Sequence, residues 1–406
     1  MKLFERHLTY LVLAVFMLLQ TAIPVRSQEK PDINKRAEQI EISLLTCGPR
    51  SAVYSLYGHT AIRYEDKSTG LDLAINYGVF SFDKPFFVLR FVFGLTDYEM
   101  GIIDFKSFLT EYEPSGCGVR QQTLNLTPQE KIAIAQAIQE NYEPQNRVYR
   151  YNFFYDNCTT RARDILLRNI NGTVSYGNKS NMEYPSYREQ IHGYNESHRW
   201  ARFGNDLLLG VKADAPTTLA EQQFLPQHLE SDFDNAYIIS KEGSRRKLVA
   251  KSFWALPPHS AQESADSVPT PKAVMLTIAL IVAAATFVER AKKRNWWLID
   301  AVLMTITGLC GLVLFAMIFS EHPTVSLNLQ ILLLNPLNIV MLYSTIKSCR
   351  KGQIHWWTKA WTLLIIVFLI GGFIQSYAEG IVFLALSLLF RNILVVSIDT
   401  SSTTNE

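Results

Sequence analysis

Five long apolar stretches occupy the last third of the chain, whereas the rest mixes apolar and polar positions at short intervals. Each stretch approaches the ~17–25 apolar residues that a helix needs to cross a bilayer, and the first is the shortest. A helix buried in a soluble core would be shorter and would carry a polar face. The pattern therefore predicts five transmembrane helices, at residues 273–288, 296–320, 325–346, 360–377 and 381–398.

A further apolar stretch at the N-terminus is typical of an export signal. Lys2 and Arg6 precede a mostly apolar region at residues 8–23, which Pro24 ends. The sequence predicts a signal peptide at residues 1–27, with an uncleaved anchor helix as the alternative. Under either interpretation the chain that follows is exported.

The region between these two parts resembles a folded domain, because it carries charges every few residues and has no apolar stretch long enough to span. Alternating positions predict two antiparallel strands at residues 51–64 and 71–82. Thr127 followed by Pro128 predicts a helix that ends near residue 140. The region as a whole therefore indicates an α+β domain.

The domain boundaries follow from these composition changes. Residues 28–258 form the predicted exported domain. Residues 259–272 are small and polar, as in a linker. Residues 273–398 form the predicted all-α membrane domain, and residues 399–406 form a cytoplasmic tail.

The loops of the membrane domain predict its orientation. Residues 289–295 and 347–352 are rich in Lys and Arg, whereas the alternate loops are not. Basic loops stay in the cytoplasm. We therefore predict a multi-pass membrane protein with residues 28–272 exported and the C-terminus in the cytoplasm.

Composition narrows the function classes. Aromatic residues make up 12% of the chain, which excludes a disordered chain. A net charge of +2 provides no basic field, so no nucleic-acid partner is predicted. The five cysteines lack CxxC spacing, and HExxH and GxSxG motifs are absent, so no metal or cofactor is predicted.

The segment YNFFYDNCTTR at residues 151–161 carries the clearest candidate chemistry. Asp156 or Asn157 can cap a helix that runs to about residue 168, with Cys158 in its first turn. There the helix dipole stabilises a thiolate, and free N–H groups can bind an oxyanion during acyl transfer. Cys158 is therefore the candidate nucleophile, although a lone cysteine is more often a small core residue.

The candidate base is His59, which lies on the first predicted strand in the sequence YGHTAIR. If the two predicted strands pair, Asn76 lies near His59 and can orient its imidazole ring. Asp72 and Asp83 are weaker alternatives for this third position. A histidine on a strand is otherwise more often structural than catalytic.

Two other cysteines leave alternatives open. Cys47 and Cys117 can form a disulfide, since the exported compartment permits one. Cys47 is also an alternative nucleophile.

Other residues bear on membrane contact. Residues 86–93 are strongly apolar and suit either a buried element or one that dips towards acyl chains. Arg391 lies inside the last apolar stretch, where it either meets a lipid headgroup or snorkels, and Asp300 lies near the inner end of the second. His322, on an outward loop, is either an ordinary loop residue or a contact for substrate.

The order of the candidate residues, a histidine on a strand and then a cysteine at a helix start, is similar to the circularly permuted papain/NlpC-P60 arrangement. More specifically, several sequence blocks together resemble the lipoprotein N-acyltransferases of Bacteroides. The multi-span C-terminus and its outward residues, including His322 and Asn328, fit the same family. The blocks in the exported domain are LLTCGPR at 44–50, YGHTAIR at 57–63, NYGVFSFD at 76–83, YNFFYDNCTTR at 151–161 and WARFGNDLLLGVKAD at 200–214.

The resemblance implies a membrane-bound acyltransferase of the bacterial inner membrane, with residues 28–272 in the periplasm and residues 28–258 as its periplasmic catalytic domain. It would move a fatty acyl chain from a membrane phospholipid, through a Cys158 thioester, to the α-amino group of the lipidated N-terminal cysteine of diacylated exported lipoproteins. His59 would move the protons. Asn157, Tyr155, His322 and Asn328 are the candidates for oxyanion stabilisation or substrate positioning.

Two alternatives remain. A membrane-anchored cysteine peptidase or amidase acting on peptidoglycan or exported protein would use the same pair, but one anchor would suffice for it. In a non-enzymatic scaffold, Cys158 would merely pack.

Overall fold

The computed structural model describes residues 33–80, 85–177, 179, 182–259 and 268–402. Within these ranges an N-terminal α+β domain is followed by a helical region with apolar helices, as predicted. The predicted signal peptide at residues 1–27 and most of the predicted linker lie outside the described residues.

Twelve described strands belong to the N-terminal domain. The main sheet has seven antiparallel strands in the order β12-β5-β1-β2-β3-β4-β6. Strands β11, β10 and β7 form a second sheet, and β8 pairs with β9. The strands are β1 Ile40–Cys47, β2 His59–Asp66, β3 Leu71–Val79, β4 Asp97–Asp104, β5 Val119–Leu124, β6 Val148–Arg150, β7 Thr173–Ser175, β8 Tyr184–Ser186, β9 Pro216–Thr217, β10 Tyr237–Ile239, β11 Arg245–Lys247 and β12 Val249–Leu256.

The helices divide between the two halves of the chain. In the N-terminal domain they are α1 Ile33–Glu38, α2 Phe87–Val92, α3 Phe105–Tyr112, α4 Pro128–Tyr142, α5 Cys158–Leu167, α6 Tyr187–His192, α7 Arg199–Leu208, α8 Leu219–Gln222 and α9 Pro226–Asn235. In the C-terminal half they are α10 Pro271–Ala291, α11 Trp297–Met317, α12 Leu337–Val340, α13 Leu342–Arg350, α14 Trp356–Gly371 and α15 Ile381–Ser402.

Both faces of the main sheet pack against a core. Successive side chains along a strand point to opposite sides, so neighbouring residues contribute to different cores. Leu44 and Ile62 pack into the larger core, against which α4, α5 and α9 lie. Leu45 and Ala61 pack on the other face, with the aromatic residues of α3. Helix α5 contacts β2 and β3, which places its N-terminus over the middle of the sheet.

The predicted start of the first strand is wrong by several residues. Residues 53–55 form a 3₁₀ turn, and β2 begins only at His59. Gly58 has a φ of 76°, and a Cβ atom there would lie 2.6 Å from the Cys47 carbonyl oxygen. Only glycine fits this tight left-handed turn, which places His59 at the first position of the central strand β2.

The helix predicted from Thr127 is confirmed. Thr127 accepts a hydrogen bond from the Glu130 N–H, and the Glu130 carboxylate accepts one from the Thr127 N–H. This reciprocal capping begins α4 with Pro128 at its first position.

The C-terminal half is helical and apolar. By length and composition, α10 and α11 can each cross a membrane, whereas α14 and the apolar part of α15, Ile381–Leu394, are shorter.

The third predicted stretch is not one straight helix. It is divided into Leu329–Val340 and Leu342–Arg350, which are bent by 77° and would make a third span if taken together. Before the break, Pro336 lacks an N–H donor, and the Asn335 side chain accepts a hydrogen bond from the Leu337 N–H at 3.0 Å. The count of five spans stays a prediction.

A hydrogen-bonded junction joins the two halves. The Gly210 N–H donates to the Thr324 carbonyl at 2.8 Å, and the Val211 N–H donates to the Leu327 carbonyl at 2.8 Å. A Cβ on Gly210 would lie 2.0 Å from the Leu327 oxygen, so the backbones meet only because this residue is glycine. The N-terminal domain is therefore docked on the membrane half at residues 324–328.

Candidate active site

Cys158 is the first residue of α5, as the sequence predicts. Asn157 is its N-cap, and the Asn157 side-chain oxygen accepts hydrogen bonds from the N–H groups of Thr159 and Thr160, both at 2.9 Å. This cap fixes the first turn of α5. The Cys158 N–H lies in the same turn and has no partner within the helix.

The other end of the Asn157 amide is also engaged. Its nitrogen donates to the carbonyls of Phe153 and Phe224, each at 2.9 Å, and the residue is buried. Asn157 therefore holds α5 in place, and both polar atoms of its side chain are used by the fold.

His59 and Asn76 lie side by side on neighbouring strands. The register pairs Ala61 with Asn76, and the His59 Nε2–H donates to the Asn76 side-chain oxygen at 3.0 Å. The predicted proximity of these two residues is confirmed. Because Nε2 faces Asn76, the Nδ1 atom of the ring remains for the thiol.

The pair is electrostatically coupled. Burial opposes ionisation of the Cys158 thiol, but the charge and hydrogen bond of His59 outweigh it and lower the pKa of Cys158 to about 7. A hydrogen bond from the Thr60 backbone N–H to the sulfur adds to this effect. Burial likewise opposes the charge on His59, yet Cys158 and Asn76 raise the pKa of the imidazole. Thiolate and imidazolium therefore stabilise each other near neutral pH.

Tyr149 is a site residue that the sequence analysis missed. It is buried, and its hydroxyl has no hydrogen-bond partner among the described residues. A Cβ placed on Gly78 would lie 3.9 Å from this hydroxyl and 3.8 Å from the Cys158 Cβ, so hydroxyl and nucleophile face one small space. A buried hydroxyl without a partner is costly, so Tyr149 can donate a hydrogen bond to an oxygen that a substrate brings into this space.

The alternative nucleophile Cys47 is poorly suited to the role. Cys47 is completely buried, and burial raises the pKa of its thiol far above the ordinary value. Cys47 and Cys117 both carry free thiols in the structure. Since a thiolate is the reactive form, Cys158 is the better nucleophile.

Tyr155 lies beside the site, on the loop that leads into α5. Its ring packs edge-on against Tyr187 at 5.5 Å between centroids. Together with Asp156 and Arg161 it lines a cleft of about 420 Å³ along α5. Its predicted role in positioning substrate stays a prediction.

His322 and Asn328 lie at the junction. The His322 Nε2–H donates to the Phe91 carbonyl of α2 at 2.9 Å. The Asn328 amide nitrogen donates to the Leu207 carbonyl at the end of α7 at 2.8 Å. The structure therefore places both residues where the N-terminal domain meets the membrane half, and their contacts to substrate stay predictions.

Arg391 follows neither of the two predicted alternatives. It is fully buried, and its guanidinium pairs with Asp300 at 2.6 Å and with Glu289 at 2.8 Å. The partners are far away in sequence, on α10 and α11, so the charge is neutralised inside the helical bundle.

The fold and the site define the class of this protein. It is a membrane-associated protein in which an α+β domain carries a Cys–His pair and packs against a region of apolar helices. The Lnb N-terminal periplasmic domain matches residues 28–192, and the Lnb transmembrane domain matches residues 262–403. The chain therefore belongs to the Lnb family of lipoprotein N-acyltransferases, which confirms the resemblance drawn from the sequence. It is a membrane-associated enzyme of lipoprotein processing with a periplasmic N-terminal domain. No curated protein and no solved structure matches the chain.

Proposed function

We propose that this protein transfers a fatty acyl chain from a membrane phospholipid to the α-amino group of the lipidated N-terminal cysteine of exported lipoproteins. The proposal is supported by the coupled pair of Cys158, at the start of α5, and His59, on β2. The domain that carries this pair is hydrogen-bonded to the membrane region. A thioester suits this task, because it resists water moderately and yields readily to an amine.

In the first half-reaction, the Cys158 thiolate attacks the ester carbonyl of the lipid. The resulting oxyanion accepts hydrogen bonds from the Cys158 N–H and from the Tyr149 hydroxyl, which has no other partner among the described residues. The ester C–O bond then breaks, the imidazolium of His59 gives its proton to the departing alkoxide, and a lysolipid leaves.

In the second half-reaction, the free amine of the lipoprotein attacks the thioester. Neutral His59 accepts a proton from the attacking nitrogen, the C–S bond breaks, and the Cys158 thiolate returns beside the imidazolium. Asn76 acts as a positioning residue, because its side-chain oxygen holds Nε2 and directs Nδ1 to the sulfur.

We further propose that the protein is a multi-pass protein of the inner membrane with a cytoplasmic C-terminus. The junction at residues 324–328 places one end of the helical region against the catalytic domain. The basic loops at residues 289–295 and 347–352 connect helices at the opposite end of the helical region, away from the catalytic domain. This position is the one expected of cytoplasmic loops.

The test measures the N-terminal lipid state of a reporter lipoprotein by mass spectrometry in cells that lack this protein. We expect the deletion to lose one acyl chain and wild type to restore it. Cys158→Ala and His59→Ala should not restore it, whereas Cys117→Ala, a matched buried thiol, should. A reporter that stays fully acylated in the deletion contradicts the proposal.

Intact-mass spectrometry of the protein separates this function from the amidase alternative. Incubation with phospholipid should add one fatty acyl group to wild type and none to Cys158→Ala. A peptidase or amidase carries no fatty acyl adduct, so its absence from wild type, together with cleavage of cell-wall peptides, would favour that alternative.

A further inference from the structure

The short helix α2 lies at the edge of the membrane half. Three successive carbonyls near its end accept hydrogen bonds from one loop that follows α11. The Ser320 hydroxyl donates to Val92 at 2.9 Å, the Glu321 N–H to Phe93 at 3.0 Å, and the His322 ring to Phe91. Because α11 ends at Met317, α2 is held at the level where this apolar helix leaves the bilayer.

The outer side of this segment is apolar and exposed. The side chain of Phe86 is 79% exposed, and that of Leu89 is 55% exposed. Arg90 points back to the domain, where it donates to the Leu95 carbonyl at 3.1 Å and pairs with Asp97. An exposed apolar surface that continues from the outer end of a membrane helix is suited to insertion among acyl chains.

The inner side of α2 begins a row of aromatic rings. The centroids of Phe91 and Phe87 are 6.4 Å apart, those of Phe87 and Phe80 are 5.3 Å apart, and those of Phe80 and Tyr98 are 4.8 Å apart. All three pairs are stacked.

The row ends beside the nucleophile. A Cβ placed on Gly78 would lie 3.7 Å from the Tyr98 ring and 3.8 Å from the Cys158 Cβ. The aromatic row therefore extends from the membrane edge to the side chain of Cys158.

We propose that residues 86–95 insert into the outer leaflet and that the aromatic row of Phe91, Phe87, Phe80 and Tyr98 binds one acyl chain of a bilayer lipid, directing its ester to Cys158. This inference rests on the proposed function, because it names the binding site of the acyl donor. Apolar rings hold an acyl chain without hydrogen bonds, and Gly78 has no side chain that would separate the Tyr98 end of the row from Cys158.

The test uses phospholipids with a photoreactive diazirine in the acyl chain, reconstituted with the full-length Cys158→Ala variant. This variant cannot form the thioester, so lipid binding is read independently of the chemistry. After irradiation, peptide mass spectrometry should find lipid adducts within residues 86–95 and on the peptide that contains Tyr98. Adducts confined to α10–α15 would overturn the proposal.

A pair of matched substitutions tests the role of the exposed surface. In the Cys158→Ala variant, Leu89→Asp should reduce lipid adducts on residues 86–95 by at least about tenfold. In the protein that retains Cys158, Leu89→Asp should reduce acyl-enzyme formation by a similar factor. Leu71→Asp, an exposed leucine at the opposite end of β3 from Gly78, should leave both unchanged. Equal adducts and equal acylation in Leu89→Asp and wild type would refute the insertion.

The outcomes distinguish this inference from the proposed function. Adducts along the row without any acyl-enzyme in wild type would retain the lipid site and reject the acyl transfer. Normal acylation of the reporter lipoprotein without adducts along the row would retain the acyl transfer and reject the lipid site.

Discussion

Removal of the His59 imidazole should raise the pKa of the Cys158 thiol. In the wild type this pKa is about 7, because the charge and hydrogen bond of His59 outweigh burial. In His59→Ala the burial remains while the compensating charge is lost. The pKa should then return to at least the ordinary range of about 8.5–9.

The expected magnitude follows from the ionised fraction. At pH 7 about half of Cys158 is thiolate in the wild type, compared with about 1–3% in the variant. A thiolate of higher pKa is intrinsically more reactive, with a Brønsted slope of about 0.4–0.5. The alkylation rate at pH 7 should therefore fall only about fivefold, whereas the midpoint of the pH–rate profile should move up by about two pH units.

The assay is alkylation of the full-length protein by iodoacetamide between pH 5 and 10, with Cys158 quantified by peptide mass spectrometry. Since the thiolate reacts, the rate rises as pH passes the pKa and levels off above it. The wild-type rate should level off shortly above pH 7, and the variant rate should still rise towards pH 9. His259→Ala, an exposed histidine outside the site, is the matched control. A midpoint in His59→Ala equal to that of wild type would refute the coupling.

Three further predictions concern other parts of the molecule. Tyr149→Phe should lower the rate of acyl-enzyme formation about 10²-fold, since it removes an oxyanion donor, and should leave the alkylation midpoint unchanged; a normal rate would exclude this hydroxyl from the site. Asn76→Ala should lower kcat about 10- to 100-fold with little change in KM, because the imidazole loses its orientation, and Asn76→Asp should restore part of it. Gly210→Ala should destabilise the junction by at least about 3 kcal/mol and lower the thermal midpoint in detergent by several degrees, because its Cβ would lie 2.0 Å from the Leu327 oxygen. Gly204→Ala, where nothing lies within 4 Å, should keep or slightly raise the midpoint, and equal midpoints for both variants would contradict the junction geometry.

Local signals predicted the parts of the site that depend on nearby residues. The Asn157 cap and the position of Cys158 follow from a helix start, which a few adjacent residues determine. The contact between His59 and Asn76 follows from a hairpin, because the turn between two neighbouring strands fixes their register.

Tyr149 could not be found in this way. It lies on the three-residue strand β6, and it is aligned with Tyr98 of β4 by long-range pairing. A strand this short has almost no periodicity, and the missing partner of a hydroxyl is visible only when all neighbours are in place.

The same limit explains Arg391. The sequence shows a cation within an apolar stretch, but its partners Asp300 and Glu289 lie 91 and 102 residues earlier. Hydropathy reports the cost of a charge in the membrane and says nothing about the partner that removes this cost.

A second buried arginine lies close to the junction between the N-terminal domain and the membrane half. Arg188 is almost completely buried, and it pairs with Asp206 at 2.9 Å and with Asp214 at 2.8 Å. Its guanidinium also donates to the Leu209 carbonyl at 3.0 Å, next to the glycine that contacts the membrane half.

Asp214 extends this network across the junction, because its carboxylate accepts a hydrogen bond from the Ser376 N–H at 3.3 Å. A buried ion pair contributes little net stability, but the loss of one partner is strongly destabilising, which favours one arrangement over others. The proposed acyl transfer requires the Cys158 sulfur at a fixed height above the lipid. The Arg188 network contributes to such a constraint, because it ties the segment that carries Gly210 both to the N-terminal domain and, through Asp214, to the membrane half.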